Sequence, residues 1–302
     1  MKVERVAIVG LGLLGGSIGL AVRAFAPHVV TTGYDRNPEV REAARERGLA
    51  DTICDDPATA VADADLVILC VPVGAMEDAA SQIADHLRAD AIVSDVGSSK
   101  QSVAEALARA LPHHAIIPAH PVAGTERSGP QAGFARLFAG RWCILTPPSG
   151  ASSDAVEAVG SFWEAIGAKV EIMDAQHHDL VLAVTSHIPH LIAYTIVGTA
   201  SDLEDVTRSE VIKYSAGGFR DFTRIAASDP VMWRDVFLNN RPAVLEMLGR
   251  FTEDLTAMQR AIRSGDGDAL HDLFTRTRAI RRAVIEQGQD DDRPDFGRGP
   301  GA

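Results

Sequence analysis

The segment VAIVGLGLLGGSIGLAV, from Val6 to Val22, contains the strongest indication of the fold. It begins as an apolar run typical of a buried strand and ends with the spacing of an apolar helix face. Between these two parts, Gly10, Gly12 and Gly15 stand in the G-x-G-x-x-G spacing. A strand, a glycine-rich turn and a helix in this order are the context in which the spacing indicates a dinucleotide-binding unit.

Each glycine of the turn has its own physical role. Gly10 permits the tight turn, Gly12 lets the backbone approach a pyrophosphate, and Gly15 lets the helix pack closely on the strand. Leu13 and Leu14 open the helix, whose free N–H groups and positive dipole end favour phosphate. We therefore predict that these five residues contact a cofactor. The alternative is a glycine-rich turn that binds no ligand.

The identity of the dinucleotide depends on the end of the next strand-like run, GYDRN. It places Asp35 about twenty residues after Gly15, where an acid accepts hydrogen bonds from the ribose hydroxyls of NAD and repels the 2′-phosphate of NADP. Arg36 follows directly and could attract that phosphate, so NADP stays as the less favoured alternative to NAD. A later strand-like run ends in three residues that we expect to border the cofactor: Cys70, Val71 and Pro72.

The pattern of the whole chain predicts two domains. Residues 1–173 alternate short β-rich runs with segments of helical period, which is typical of a parallel sheet wound by helices. Residues 174–287 contain no convincing strand, and their first apolar pattern predicts a long helix kinked near Pro189. The sequence thus predicts an α/β protein: a Rossmann-type, doubly wound, mostly parallel sheet followed by an all-α domain. The polar tail 288–302 is predicted to be disordered.

Composition and charge limit the class of protein. The net charge of −12 argues against non-specific binding to nucleic acid or to anionic membranes. No run approaches the roughly eighteen uninterrupted apolar residues of a membrane span. Cys70 and Cys143 lie in apolar runs and are predicted to be small core residues. These features predict a cytoplasmic location, where cysteines stay reduced.

Polar residues follow the later strands of the predicted sheet, in the segments DVGSSK and AHPVAGTE. Because ligands collect at the carboxyl ends of parallel strands, Ser98 and His120 are expected to lie close together near the nicotinamide. An imidazole with an ordinary pKa of about 6.5 suits proton removal from a hydroxyl whose carbon loses a hydride. We therefore expect activity to fall at low pH as His120 takes a proton. The alternative is a structural histidine at a strand end.

The helical half contains two further polar clusters. TSHIPH places Ser186, His187 and His190 in an apolar helix, with Ser186 and His190 on one face. A metal site is not favoured, because no carboxylate stands at ligand spacing in this segment. Hydrogen-bonded core residues are the other alternative.

The second cluster is GGFRDFTR, which contains Arg220, Asp221 and Arg224. Arginine binds a carboxylate through two parallel hydrogen bonds, so this segment is a candidate substrate anchor. A solvated helix face with an Asp–Arg pair is the alternative. His177 and His178, near the start of the long helix, are predicted to be surface or capping residues.

Taken together, these motifs resemble the prephenate/arogenate (cyclohexadienyl) dehydrogenase family of tyrosine biosynthesis. The resemblance runs through VAIVGLGLLGGS, DVGSSK, HPVAGTERSG, SHIPH and GGFRDFTR and covers about residues 4–285. It implies NAD-dependent oxidative decarboxylation of prephenate to 4-hydroxyphenylpyruvate, of arogenate to tyrosine, or of both. It also implies a homodimer formed through the helical domain, and no metal.

The resemblance assigns roles to individual residues. His120 matches the base that deprotonates the ring hydroxyl, Ser98 the serine that contacts this hydroxyl and the base, and Arg224 the arginine that binds the substrate carboxylate. The remaining matches are further residues of the substrate pocket: His190, Ser186, Thr125, Glu126 and Asp221.

Two other functions stay open at this stage. A β-hydroxyacid-type dehydrogenase shares the architecture but uses a lysine in its helical domain, where Lys213 is the single candidate. A non-catalytic NAD-binding sensor would not need His120, His190 and Arg224 together. The sequence does not decide between prephenate and arogenate.

Overall fold

The computed structural model describes residues 2–125, 127–202, 213 and 217–286. The chain divides into two compact units, residues 1–247 and 248–302. The first unit contains both sheets and all the described residues of the predicted site. The last described strand ends at Ile172, and the regular structure described beyond it is helical. The predicted domain boundary at residues 173/174 stays a prediction.

The predicted doubly wound sheet is confirmed as a six-stranded sheet in the order β3-β2-β1-β4-β5-β6. Every neighbouring pair in it is parallel. The strands are β1 (Arg5–Val9), β2 (Val30–Tyr34), β3 (Thr52–Ile53), β4 (Leu66–Leu69), β5 (Ile92–Asp95) and β6 (Ala115–Ile116). The sequence pattern missed β3, which has only two residues. The strand order reverses between β1 and β4, so the loops that follow these two strands border a crevice.

Helices cover both faces of this sheet. They are α1 (Leu13–Phe25), α2 (Pro38–Arg47), α3 (Pro57–Val61), α4 (Met76–Ile83), α5 (Gln101–Ala110) and, later, α6 (Ser153–Ala165). Two begin at caps that the sequence signals: the side chain of Asn37 accepts from the amide of Glu39, and that of Asp56 from the amide of Thr59. Each of these caps precedes a proline in the first turn, which presets the helical backbone. The crossover connections are therefore fixed locally.

The region after β6 differs from the expected single sheet. A separate three-stranded sheet consists of β7 (Ala119–Pro121), β8 (Trp142–Leu145) and β9 (Lys169–Ile172). His120 therefore lies within a strand, opposite Ile144, and not in a loop at the carboxyl edge of the main sheet as the sequence suggested. Pro118 explains the switch: proline has no N–H for the main sheet, and its carbonyl accepts from the amide of Thr146 beside β8.

The predicted long helix is an unbroken helical segment with an irregular centre. It consists of α7 (Ala175–Leu182), a π-helical turn (Ala183–His187) and α8 (Ile188–Ser201). The π turn ends two residues before Pro189, where the sequence predicts a kink, and π turns inside α-helices are frequent at functional sites. The helices described after this segment are Gly217–Thr223, Pro230–Asn239, Arg241–Ser264 and Gly267–Glu286.

This helical segment is also long and apolar enough to cross a membrane by length and composition alone. Its side chains nevertheless contact the sheet-bearing part of the chain: His178 is hydrogen-bonded to His120, and Asp179 to the amide of Lys100. These contacts pack α7 against the part of the chain that carries the two sheets.

Candidate active site

The glycine turn has the shape that a dinucleotide requires. Gly10 has a φ of +100°, and a side chain there would overlap the carbonyl of Cys70 at the end of β4. A side chain on Gly15 would overlap the carbonyl of Gly10, so helix and strand meet backbone to backbone. Gly12 differs, because nothing lies within 4 Å of the position its Cβ would take. It caps α1 without a side-chain hydrogen bond, so the helix N-terminus faces open space suited to a pyrophosphate.

The acidic residue predicted to read the ribose is held beside this turn. One carboxylate oxygen of Asp35 accepts from the amide of Leu11 at 2.9 Å, and the other accepts from the amide of Asn37 at 2.9 Å. Arg36 is exposed. Arg41, which the sequence analysis did not single out, donates to the carbonyls of Asp35 and Arg36 and braces the strand end. The residues present fit NAD, which the glycine turn and Asp35 would hold.

The other predicted cofactor residues lie in the loop that follows β4, the strand beside β1 at the crevice. Cys70 directly follows the strand and is half-buried, and Val71 and Pro72 continue the chain into a short helical turn. Burial strongly raises the pKa of the Cys70 thiol, so it is not a reactive thiolate. Burial likewise raises the pKa of Cys143, which is fully buried as predicted.

Two glycine substitutions, one in this turn and one within α1, distinguish an effect on NAD⁺ binding from an effect on stability. We expect Gly12→Ala to cost no more than about 1 kcal/mol of stability, the usual cost of alanine at a helix N-cap, because its Cβ meets nothing. The same variant should raise the KM for NAD⁺ about tenfold, because the Cβ occupies the phosphate space. The matched Gly19→Ala places a Cβ on the carbonyl of Leu49 and should cost about 1–3 kcal/mol of stability. Urea unfolding and NAD⁺ titration measure both. An unchanged NAD⁺ affinity in Gly12→Ala would contradict the assignment.

His120 is a buried imidazole with one defined hydrogen bond. Its Nδ1 lies 2.8 Å from Nε2 of His178, and the two rings meet edge to face. Burial is the main cause that holds the pKa of His120 well below its ordinary value, and the charges of His178, Lys100 and His187 lower it further. The ring is therefore neutral at neutral pH, which is the form a proton acceptor needs.

His178 is not a surface or capping residue, so that prediction is wrong. Its side chain is completely buried, whereas His177 beside it is exposed. His178 Nδ1 lies 2.9 Å from a carboxylate oxygen of Asp179. The same carboxylate accepts from the amides of Lys100 at 2.7 Å and Gln101 at 3.0 Å, at the start of α5. The available signal was the spacing of His178, Asp179 and Leu182, which together form the buried face of α7.

A buried ion pair supports the strand that carries His120. Lys100 is completely buried, and its Nζ forms an ion pair with Asp95 and donates to the carbonyl of Ala119 at 2.6 Å. Asp95 also accepts from the amides of Gly97 and Ala119. Both backbone groups of Ala119 are thus fixed by this pair, directly before His120. The sequence pattern predicted no role for Asp95 or Lys100, although both lie in the segment DVGSSK.

The helical part contributes a second group of side chains. The Nδ1 atom of His190 lies 2.8 Å from the carbonyl oxygen of Ser186, and since a carbonyl only accepts, Nδ1 carries the proton. The ring of His190 stacks on Trp233 with centroids 3.7 Å apart. Burial is the main cause that lowers the pKa of His190, and the positive charge of Arg224 lowers it too. Arg224 begins a short helical turn (Arg224–Ala227) that contacts α8, the helix that carries His190. Trp233 was not predicted.

His187 connects the two groups. It is completely buried, and its Nδ1 lies 3.1 Å from the amide nitrogen of Asn240, which also donates to the carbonyl of Asp179 at 2.8 Å. Burial lowers the pKa of His187 to about 4. The ring of His187 also lies edge to face with Trp233, with centroids 6.1 Å apart, so His187 contacts the side chain on which His190 stacks.

The other predicted site residues that the structure describes lie in loops or in a short helix. Ser98 follows β5 and is half-buried, and its contact with His120 stays a prediction. Thr125 is exposed, and its hydroxyl accepts from the amide of Arg127 within the same loop. Asp221 is exposed in the helix Gly217–Thr223. Glu126 lies outside the described residues. Among the residues that the structure describes, no group of His, Cys, Asp and Glu is arranged to hold a metal ion.

We expect the lowered pKa of His120 to determine the pH dependence of a reaction in which this residue is the base. A base with an ordinary pKa would lose activity on the acid side of about pH 6.5. Because the pKa of His120 is lowered, the ring stays neutral as the pH falls through that value. We therefore expect kcat/KM to stay level from pH 8 down to about 6.5 and to fall only at lower pH. A rate assay in buffers of constant ionic strength tests this, and a midpoint above about pH 7 would contradict it.

Comparison with known proteins gives a consistent result for both halves of the chain. A family described as "Prephenate dehydrogenase, nucleotide-binding domain" matches residues 18–172, and "Prephenate dehydrogenase, dimerization domain" matches residues 174–276. The cyclohexadienyl dehydrogenase of Zymomonas mobilis is 46% identical over 93% of this chain and 96% of that protein. The prephenate dehydrogenase of Bacillus subtilis is 32% identical over 92% of this chain and 75% of that protein.

Solved structures agree with these relatives. Prephenate dehydrogenase from Aquifex aeolicus, in complex with hydroxyphenyl propionate and NAD⁺, is 32% identical, with a TM-score of 0.87 over 94% of this chain and 99% of that one. Arogenate dehydrogenase from Synechocystis is 26% identical, with a TM-score of 0.79 over 93% of this chain and 99% of that one.

Proposed function

The chain belongs to the prephenate dehydrogenase family, and we infer that it is an NAD-dependent oxidoreductase of tyrosine biosynthesis. The reaction is the oxidative decarboxylation of prephenate to 4-hydroxyphenylpyruvate, of arogenate to tyrosine, or of both. The family match over both halves of the chain leaves the β-hydroxyacid-type dehydrogenase and the non-catalytic sensor without support. The observation that carries the proposal for this chain is the buried, neutral imidazole of His120.

We propose that His120 acts through Nε2, because Nδ1 is engaged by His178. The O–H bond of the ring hydroxyl breaks, and its proton passes to Nε2 of His120. The ring carbon that carries this oxygen loses its hydrogen as a hydride and becomes a carbonyl carbon. NAD⁺, when bound at the glycine turn, supplies the hydride acceptor. The ring carbon–carboxylate bond then breaks, and its electron pair makes the ring aromatic as CO₂ departs. The proton returns from His120 to the phenolate oxygen, so no proton is released overall.

The substrate carboxylates need cationic or hydrogen-bonding partners in a chain of net charge −12. Arg224 and His190 are close enough for the guanidinium charge to act on the imidazole, and stacking on Trp233 fixes that ring. We propose this pair as the anchor of a substrate carboxylate. Ser98, Ser186, Thr125, Glu126 and Asp221 stay proposed as residues that border the substrate.

Removal of the proposed anchor should weaken substrate binding. We expect Arg224→Ala to raise the KM for the dicarboxylate substrate about 10–100-fold, with a smaller effect on kcat, because a charge-assisted hydrogen-bond pair is lost. Arg220→Ala is the matched control from the same segment and should leave KM within about twofold. Steady-state kinetics measure both. Equal KM values for Arg224→Ala and the unmodified protein would remove the anchor assignment.

The activity itself is tested by spectrophotometry. Purified protein is mixed with prephenate or with arogenate, each with NAD⁺ or NADP⁺, and NADH or NADPH formation is followed. We expect turnover of at least one substrate, with NAD⁺ favoured because of Asp35. No reduction of either cofactor with either substrate would overturn the proposed function. The relative rates with the two substrates decide between prephenate and arogenate.

We also propose that the protein works as a cytoplasmic homodimer through its helical part. The matching family description names a dimerization domain over residues 174–276. Among the side chains described in the unit 248–302, four large apolar ones are at least half exposed: Leu255, Ile262, Phe274 and Ile280. Exposed apolar surface of this kind is typical of a subunit interface. Analytical ultracentrifugation at micromolar concentration tests the dimer.

A further inference from the structure

We propose that His178 and Asp179 are positioning residues that hold His120 in the tautomer of a base and receive part of the positive charge when it takes the substrate proton. This inference rests on the proposed function for its kinetic consequences, but its structural part does not. It goes beyond the family match because the sequence motifs that carry the resemblance contain neither residue. We call the series His120, His178 and Asp179 the relay.

The first argument is the order of donors and acceptors. The Asp179 carboxylate accepts from the amides of Lys100 and Gln101 and lies 2.9 Å from Nδ1 of His178, so that nitrogen must carry the proton. A neutral His178 then has a lone pair on Nε2, which lies 2.8 Å from Nδ1 of His120. His120 must therefore donate from Nδ1. Its Nε2 is left with a lone pair, which is the state required of the proposed base.

The second argument is the charge that surrounds the pair of rings. Lys100 and Asp95 form a completely buried ion pair that is neutral as a unit. Asp179 then leaves one negative charge in the buried cluster, and a proton gained by His120 or His178 balances it. The hydrogen bond that His178 Nδ1 donates to Asp179 raises the pKa of His178 against the larger, opposing effect of burial. The negative charge of Asp179 can therefore balance the positive charge of one proton that the relay takes from the substrate.

The groups that face this pair of rings come from several elements, and each has a defined effect. Lys100, on the loop between β5 and α5, and His187, on the π turn, disfavour a second positive charge on His120. Asn240 donates to the carbonyl of Asp179 and contacts His187 Nδ1, so it fixes the backbone that carries the relay. Asp179 is therefore the carboxylate in direct hydrogen-bond contact with the imidazole pair.

A purely structural role would use these atoms differently. Asp179 already caps the start of α5 through two amides, and that role needs no imidazole. A buried histidine costs free energy unless its polar atoms are paired, and an apolar side chain would fill the same place on α7. The hydrogen bonds of His178 instead connect the acid to the candidate base. In hydrolytic triads a carboxylate holds the catalytic histidine in one tautomer. Here Asp179 would do the same for His120 through the intervening ring of His178.

The structural part is tested on the ligand-free protein by ¹⁵N NMR of labelled histidines. The signals of His120 are assigned by their loss in His120→Asn, and those of His178 by their loss in His178→Gln. We expect Nδ1 of His120 to be protonated and Nε2 unprotonated at about pH 7.5, and this preference to be lost in His178→Phe. A predominant Nε2–H tautomer of His120 in the unmodified protein overturns the inference, whatever the activity.

The kinetic part uses graded variants. We expect His178→Phe to lower kcat about 100-fold, since the tautomer is no longer selected, and His178→Gln to recover part of the loss, since its amide can accept from His120 Nδ1. Asp179→Asn keeps an acceptor but removes the charge, so the acid limb of the kcat/KM profile should move to lower pH. The KM for NAD⁺ should change less than about threefold in all three variants.

The matched control is His177→Gln, which changes the exposed neighbour on the same helix and should keep the kcat of the unmodified protein. Circular dichroism and thermal unfolding show whether each variant is folded. Full kcat in folded His178→Phe, or a loss of kcat in Asp179→Asn with an unmoved acid limb, overturns the relay. An unmodified protein without dehydrogenase activity defeats the proposed function instead, and the NMR result then decides the inference alone.

Discussion

Replacement of His120 by Asn should lower kcat by about 10²–10⁴-fold, the range expected when a general base is lost. Asparagine is polar and slightly smaller, and its amide can still face His178, but it cannot take a proton. The glycine turn follows β1 of the main sheet, whereas His120 lies on β7 of the second sheet. We therefore expect the NAD⁺ affinity to change by no more than about threefold. Steady-state kinetics and calorimetric titration with NAD⁺ measure the two quantities.

The control for this substitution is His113→Asn, an exposed histidine in the turn before β6, which should be neutral. A kcat within about tenfold of the unmodified protein would contradict the base role, because binding and orientation alone do not replace a proton acceptor. A loss of NAD⁺ affinity equal to the loss of kcat would point instead to damage of the cofactor site. The expected result is thus specific to chemistry at Nε2.

The nucleotide end of the protein was predictable because its signals are local. Gly10, Gly12 and Gly15 act within one turn, and the carboxylate of Asp35 accepts from the amide of Leu11 at the foot of that turn. Caps such as Asn37 act within three residues. Within the turn and at the caps, the residue type, the backbone conformation and the contact are determined over a short stretch. Asp35 is 24 residues from Leu11, and it was predictable because an acid about 20 residues after the glycine turn is typical of a dinucleotide-binding unit.

The chemical end was predictable only in part because its contacts are distant in sequence. His120 and His178 are 58 residues apart, and Lys100 and Asp179 are 79 apart. Periodicity indicated an apolar helix here, but it did not show that the buried face of α7 packs on β7 and the start of α5. The switch of the chain at Pro118 to a second sheet depends on a hydrogen bond to Thr146, which no local pattern reveals.

The buried ion pair behind His120 leads to the largest expected effect on stability. Lys100→Met keeps the length of the side chain but leaves the Asp95 carboxylate without its cation in a completely buried place. We expect the free energy of unfolding to fall by about 3–5 kcal/mol, as for other buried pairs that lose one partner. Lys2→Met is the control, since Lys2 pairs with Glu4 at the exposed surface and should contribute at most about 1 kcal/mol. Urea unfolding at neutral pH measures both.

The double variant Lys100→Met with Asp95→Asn decides whether charge is the cause. The asparagine side chain introduced by Asp95→Asn carries no charge, and its amide oxygen can still accept from the backbone amides of Gly97 or Ala119, which Asp95 binds now. We therefore expect the double variant to be more stable than Lys100→Met alone by at least about 1 kcal/mol, a non-additive result. Equal or lower stability of the double variant would show that the loss comes from packing around the lysine stem. In that case the fixed position of Ala119, and with it the support of His120, would not depend on the ion pair.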